Sequence, residues 1–177
     1  MVYFTADQHF GHENIIEYCN RPFETVDEMN VVMIDKWNAK VNNDDKVFVL
    51  GDFGFGSSKD IIKYGRALNG YKTLILGNHD RATKSVYLEA GFIEVIKFPI
   101  LWADFYLLSH APKFISNMGP YFNIYGHVHN NPNFVDVSKY GCCVSVERTD
   151  YAPISYNELR KKVESTWEIS KECNIGN

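Results

Sequence analysis

Cysteine is scarce in this chain: Cys19, Cys142, Cys143 and Cys173 are the only thiols among 177 residues. They form no C-x-x-C pair and no cysteine–histidine spacing of a zinc finger. A disulfide framework and a thiolate zinc site are therefore excluded as what holds the fold together. Neighbouring Cys142 and Cys143 are expected on opposite faces of a strand. Positive charge is not in excess either, with 18 Lys and Arg against 22 Asp and Glu and a net charge of −4. Bulk electrostatic capture of a long nucleic acid is disfavoured. No apolar run approaches the roughly 20 residues that span a bilayer. The first six residues, Met-Val-Tyr-Phe-Thr-Ala, lack a basic n-region and read as a strand rather than a signal peptide. The expectation is a cytoplasmic protein with reduced thiols and no membrane partner. Glycine and proline number only 12 and 6, too few for a fibrous or low-complexity chain.

What the chain does have is a 45% share of hydrophobic residues, enough at this length for one self-supporting core. One domain is expected over residues 1–168, followed by a polar, frayed tail over 169–177. Short apolar runs rich in β-branched and aromatic residues recur at 2–6, 46–50, 73–76, 105–109, 123–125 and 143–146, and predict buried strands. Helical patterns lie between the first of these. Thr25 to Glu28 is a capping box, followed by Met29, Met33 and Trp37 at i, i+4 spacing. Ser57 or Ser58 can cap a helix bearing Ile61, Ile62 and Leu68, with Gly70 as its stop. A weaker helix is expected from about Thr83 to Ala90. Ser155 to Glu158 is a second capping box, ahead of Leu159 and Val163. Strand–helix alternation in the first half implies parallel pairing. The strand-rich stretch 92–146 is expected to add antiparallel strands, giving two sheets packed face to face with outer helices.

The polar residues best able to bind metal fall at the ends of these strands. They are Asp7-Gln8-His9, Gly51-Asp52, Gly77-Asn78-His79-Asp80, His110, and Gly126-His127-Val128-His129. In open α/β sheets, ligands bind beyond the carboxyl ends of strands, so groups distant in sequence can converge there. Five of the six histidines occupy these places, and the sixth, His12, lies three residues past His9. By composition alone, Gly-Asn-His-Asp should arise in roughly one chain in a thousand of this length. An Asp, Asn and His donor set without thiolate suits borderline divalent ions such as Mn, Fe or Zn. Seven donors suit two ions sharing a carboxylate, which can bind phosphate oxygens and activate a bridging water.

These five motifs, in this order, resemble the calcineurin-like metallophosphoesterase superfamily. The similarity runs over about residues 2–159. Further stretches, Asp7-Gln-His-Phe-Gly-His12-Glu-Asn-Ile-Ile16, Asn20-Arg-Pro-Phe23, Glu28-Met-Asn30 and Gly51-Asp-Phe-Gly54, look like its small, uncapped bacterial and phage members. The resemblance implies a four-layer α/β/β/α sandwich of two mixed β-sheets with outer helices. It implies a first metal on Asp7, His9 and His129, a second on Asn78, His110 and His127, and Asp52 bridging them. The ions would be Mn2+, Fe2+/Fe3+, Zn2+ or Ni2+. His79 would stay off the metals and assist the leaving group while a metal-bridging hydroxide attacks a phosphomonoester or phosphodiester. The protein-phosphatase branch has an Asp that orients the catalytic His; here that position is Phe55, which leaves the partner of His79 open and disfavours a protein Ser/Thr phosphatase.

Simpler roles compete at single positions. Asp80 is expected to cap the following helix. His12 is balanced between contacting substrate phosphate and capping a helix near Glu13. Arg81 and Lys113 are candidate phosphate ligands or ordinary surface charges. The expected partner is a small phosphate ester, with a nucleotide among the candidates. A nuclease or cyclic-nucleotide phosphodiesterase of the same fold is the nearest alternative. A non-catalytic binding scaffold is the alternative from another class.

Overall fold

The computed structural model describes residues 1–116 and 118–173. Its elements run β1 (Val2–Thr5), α1 (Ile15–Tyr18), α2 (Val26–Lys40), β2 (Lys46–Val49), α3 (Ser58–Arg66), β3 (Tyr71–Ile75), α4 (Lys84–Glu89), β4 (Phe92–Ile96), β5 (Ile100–Trp102), β6 (Tyr106–Ser109), β7 (Phe122–Tyr125), β8 (Gly141–Cys143), β9 (Ile154–Ser155) and α5 (Tyr156–Cys173), with a 3₁₀ turn at Val146–Arg148. One sheet has the order β4-β3-β2-β1-β9, and the other β5-β6-β7-β8. Both are mixed. β1 to β4 pair in parallel and β9 adds antiparallel to β1. β6, β7 and β8 are parallel and β5 is antiparallel to β6.

The second half departs from the expected antiparallel strands, because only β5 and β9 run that way. Parallel pairing needs long crossovers. Here residues 110–121 and 126–140 make them without a named helix, so no helical periodicity announced them. The last expected strand, 143–146, forms as β8 two residues earlier, and residues 146–148 turn away in the 3₁₀ segment.

Alternation along β1 sends Tyr3 toward the helices and Phe4 and Ala6 toward the other sheet. The helix-side core joins Met29, Met33 and Trp37 of α2 with Ile61 of α3 and Tyr87 of α4. Burial of each such side chain contributes about 1.5–3 kcal/mol. The inter-sheet core joins Phe4, Leu50 and Ile75 to Leu108, Phe122, Ile124 and Cys142, with Leu159 of α5 closing it. Cys143 faces the other way, beside Tyr125 and Val128, as its neighbour's burial requires. Helix starts follow the capping signals. Ser57 and Asp60 form a reciprocal box, as do Ser155 and Glu158. Thr25 accepts from the Glu28 amide, whereas the Glu28 carboxylate turns to the Glu24 amide instead. α5 runs from Tyr156 to Cys173, and the expected tail over 169–177 reaches past it into 174–177, which lie outside the described residues. No described helix is long and apolar enough to cross a membrane.

Candidate metal centre

The chain leaves β1, β2 and β7 through residues forced into left-handed backbone conformations. Asp7 (φ 62°), His9 (52°), Asp52 (56°), His127 (71°) and His129 (47°) make up half of the ten described non-glycine residues with positive φ. Such conformations cost free energy unless the surroundings hold them, and they gather at functional sites. Glycine serves where no side chain fits. A Cβ on Gly51, itself at φ +87°, would meet the Gly77 amide and His110 Nδ1 at 2.6 Å. One on Gly126 would meet Asp7 Oδ2 at 2.6 Å.

These turns bring all the expected donors to one rim. Asp7, His9 and His129 place ligand atoms within 4.8 Å of one another, and so do Asp52, His110 and His127. Asp52 lies between the groups, with Oδ2 3.6 Å from His9 Nε2 and 3.4 Å from His110 Nε2. Asn78 Oδ1 is 2.8 Å from His110 Nε2. His79 projects nearby, its backbone N–H donating to Asp52 Oδ1 at 2.8 Å. Its ring packs 5.4 Å from Phe55 and 5.5 Å from His9. Phe55 is thus a direct ring neighbour of His79.

The donor chemistry fits divalent cations. His110 Nδ1 lies 2.9 Å from the Leu50 carbonyl, which can only accept, so in the neutral ring Nε2 offers a lone pair. That lone pair faces Asn78 Oδ1, Asp52 Oδ2 and, at 3.1 Å, His127 Nδ1. In the other group, Asp7 Oδ1 and both His9 ring nitrogens are buried with no hydrogen-bond partner in the protein. Orphaned buried groups of this kind are costly. Burial raises the Asp7 carboxyl to about 6, against the pull of His129 and His110. It also lowers His9 and His127 below the ordinary histidine range. A cation offsets both penalties at once, since it favours ionised Asp and neutral His.

Other residues hold the donors in place. Asp7 Oδ2 accepts from the His127 amide at 2.8 Å and Ser145 Oγ at 2.6 Å. Arg21 donates to the Asp7 and Gln8 carbonyls, each at 2.8 Å. The same guanidinium reaches Glu147 Oε1 at 2.7 Å, and that oxygen lies 2.9 Å from His129 Nδ1. Burial opposes ionisation of Glu147, yet the His129 hydrogen bond and the Arg21 charge hold it below its ordinary range. Fixing Nδ1–H in this way points Nε2 of His129 at the Asp7 group. Asp80 does not cap α4, whose N-cap is Thr83. Its carboxylate instead accepts from the amides of Asp52, Phe53 and Gly77, stapling two ligand turns together. Cys19 also enters the site region, within 4.8 Å of His129 and Glu147, although no cysteine–histidine spacing announces it.

Among the weaker candidates, the His12 side chain caps nothing. The α1 N-cap is Asn14, and the His12 ring stacks on Phe55 at 4.0 Å. Arg81 lines a hollow that His79 also lines. Lys113 lines a different one, with Phe114, Ile115 and Tyr140.

Over 175 residues the chain is 35% identical to the uncharacterized protein MJ1445 of Methanocaldococcus jannaschii, a match spanning 92% of this chain and 91% of that one. The chain belongs to the MJ1445 family. The structure of a protein of unknown function from Aquifex aeolicus, AQ665, is similar to this member of the MJ1445 family at a TM-score of 0.65. It shares 28% identity, over 91% of this chain and 98% of that one. A Pseudomonas putida nuclease, MPE, matches at 0.49 with 21% identity, over 72% of this chain and 61% of that one, and no activity is read from that likeness. No family model matches the chain.

Proposed function

We propose that the chain is a metal-dependent phosphoesterase of the calcineurin-like metallophosphoesterase kind. The reading is carried by two groups of metal-capable side chains that adjoin at Asp52, one of which leaves buried polar atoms without hydrogen-bond partners in the protein. Asp7, His9 and His129 would hold one divalent ion, and Asn78, His110 and His127 a second, with Asp52 between them. Bound there, such ions supply Lewis acidity toward phosphate oxygens and acidify water. The protein supplies the rest. Asp80, Arg21 and Glu147 hold the donors in fixed turns, so little reorganisation accompanies the reaction. His79, off both groups and half-exposed beside them, would give a proton to the departing oxygen. His12 and Arg81 border the space a substrate would enter.

Hydrolysis of an aryl phosphate with added Mn2+ tests this reading. Turnover is expected in the native chain, with a fall of about a thousandfold in Asp52→Asn. Inactivity with Mn2+, Zn2+, Fe2+ and Ni2+ alike, or full activity in Asp52→Asn, would sink it.

A further inference from the structure

Beside His79 the structure opens a hollow of about 460 Å³, lined by Gly54, Phe55, Ser57, Ile61, Arg81 and Tyr87 among others. That is more than one phosphate group needs and suits a small organic group carrying a charge. Phe55 forms the wall between this hollow and His12, with the two rings stacked at 4.0 Å. The charge lining it is one-sided. Arg81 is exposed and, among the described residues, has neither an ion pair nor a hydrogen bond. The nearest carboxylate on α3, Asp60, is occupied, since it accepts from Ser57 N–H at 2.8 Å and Ser57 Oγ at 2.7 Å. Arg81 is the one Lys, Arg, Asp or Glu among the residues that line the hollow. The hollow beside His79 thus presents one unpaired cation, and such a charge attracts anions locally.

We propose that this hollow receives the leaving group, and that Arg81 selects small phosphate esters whose leaving group carries a second anionic group. The inference rests on the phosphoesterase reading above. His79 lies at the junction, with its main-chain N–H on Asp52 and its ring against Phe55. A departing oxygen would meet His79 first and Arg81 beyond it. A guanidinium pairs with carboxylate or phosphate through two parallel N–H donors, so it reads a planar or tetrahedral anion better than a neutral group of the same size. The apolar walls, Phe55, Ile61 and Tyr87, would carry the connecting carbon framework.

Three aryl esters separate the possibilities: phenyl phosphate, 4-carbamoylphenyl phosphate and 4-carboxyphenyl phosphate. The last two have the same shape and differ by one charge. The native protein with Mn2+ is expected to prefer the carboxylate over the carbamoyl ester by about tenfold in kcat/KM, the worth of one charge-assisted hydrogen bond. Arg81→Ala is expected to erase that preference and Arg81→Lys to restore part of it. The same preference in Arg81→Ala as in the native chain would overturn the proposal, as would equal rates on both esters in the native chain. Either outcome would leave the phosphoesterase reading standing. Failure to hydrolyse any of the three would remove that reading and this one with it.

Discussion

The two halves of the candidate centre are built differently. Asp7 is fully buried and His9 1% exposed, while His129 beside them is partly exposed. They are held by Arg21, Glu147 and Ser145. Asp52 and His110 are buried too, but His127 and Asn78 stand open to solvent. The buried half is preorganised and carries the unpaired acceptors. The open half is the one that solvent reaches. A buried site with fixed donors should hold its ion more tightly and release it more slowly than an exposed one.

The sharpest way to break that contrast is Glu147→Gln. The change keeps the shape and removes the charge behind His129. Metal affinity of the buried half is expected to fall about 10- to 100-fold, read by calorimetric titration of the metal-free protein. An equal weakening of both halves would erase the distinction. A smaller effect is expected when a chelator is added to the metal-loaded protein. Release should follow two phases, several-fold apart, with the slow one accelerated in Glu147→Gln and the fast one little changed. Atomic absorption on rapidly desalted samples would follow it.

The smallest effect concerns stability without metal. Burial raises the Asp7 carboxyl to about 6, so between about pH 4 and 6 the folded chain keeps a proton that the unfolded chain has lost. Metal-free stability should therefore fall as pH rises through that window and level off above it. Asp7→Asn preserves the acceptor for Ser145 and His127 and removes the charge. It is expected to flatten this slope and raise metal-free stability at pH 7 by on the order of 1–3 kcal/mol while abolishing metal binding at that half. Urea unfolding at several pH values measures it. An unchanged slope would mean that the Asp7 carboxyl is not strained by burial.

How much of this was legible depends on covalent distance. The donors could be read because each is attached directly to a strand end, and strand ends are marked by apolar runs and by glycine. The braces could not. Arg21 and Glu147 meet across 126 residues, with no spacing to connect them. Asp80 reads as a cap because Asp often is one, yet tertiary structure brings two other turns within reach of its oxygens. The parallel run β6-β7-β8 was hidden for a similar reason, since its crossovers are loops and leave no periodic trace. His79 was expected beside the site, but its ring neighbours, Phe55 and His9, are visible only in three dimensions.

Asp7 is made early and completed late. Its partners His127 and Ser145 lie 120 and 138 residues further along the chain. Its neighbour Ala6 makes an isolated parallel bridge to Ser145. During synthesis the first donor must therefore wait until Ser145 has left the ribosome. Until then a nascent chain has no finished donor set, and any metal loaded on Asp7 would have to follow that step.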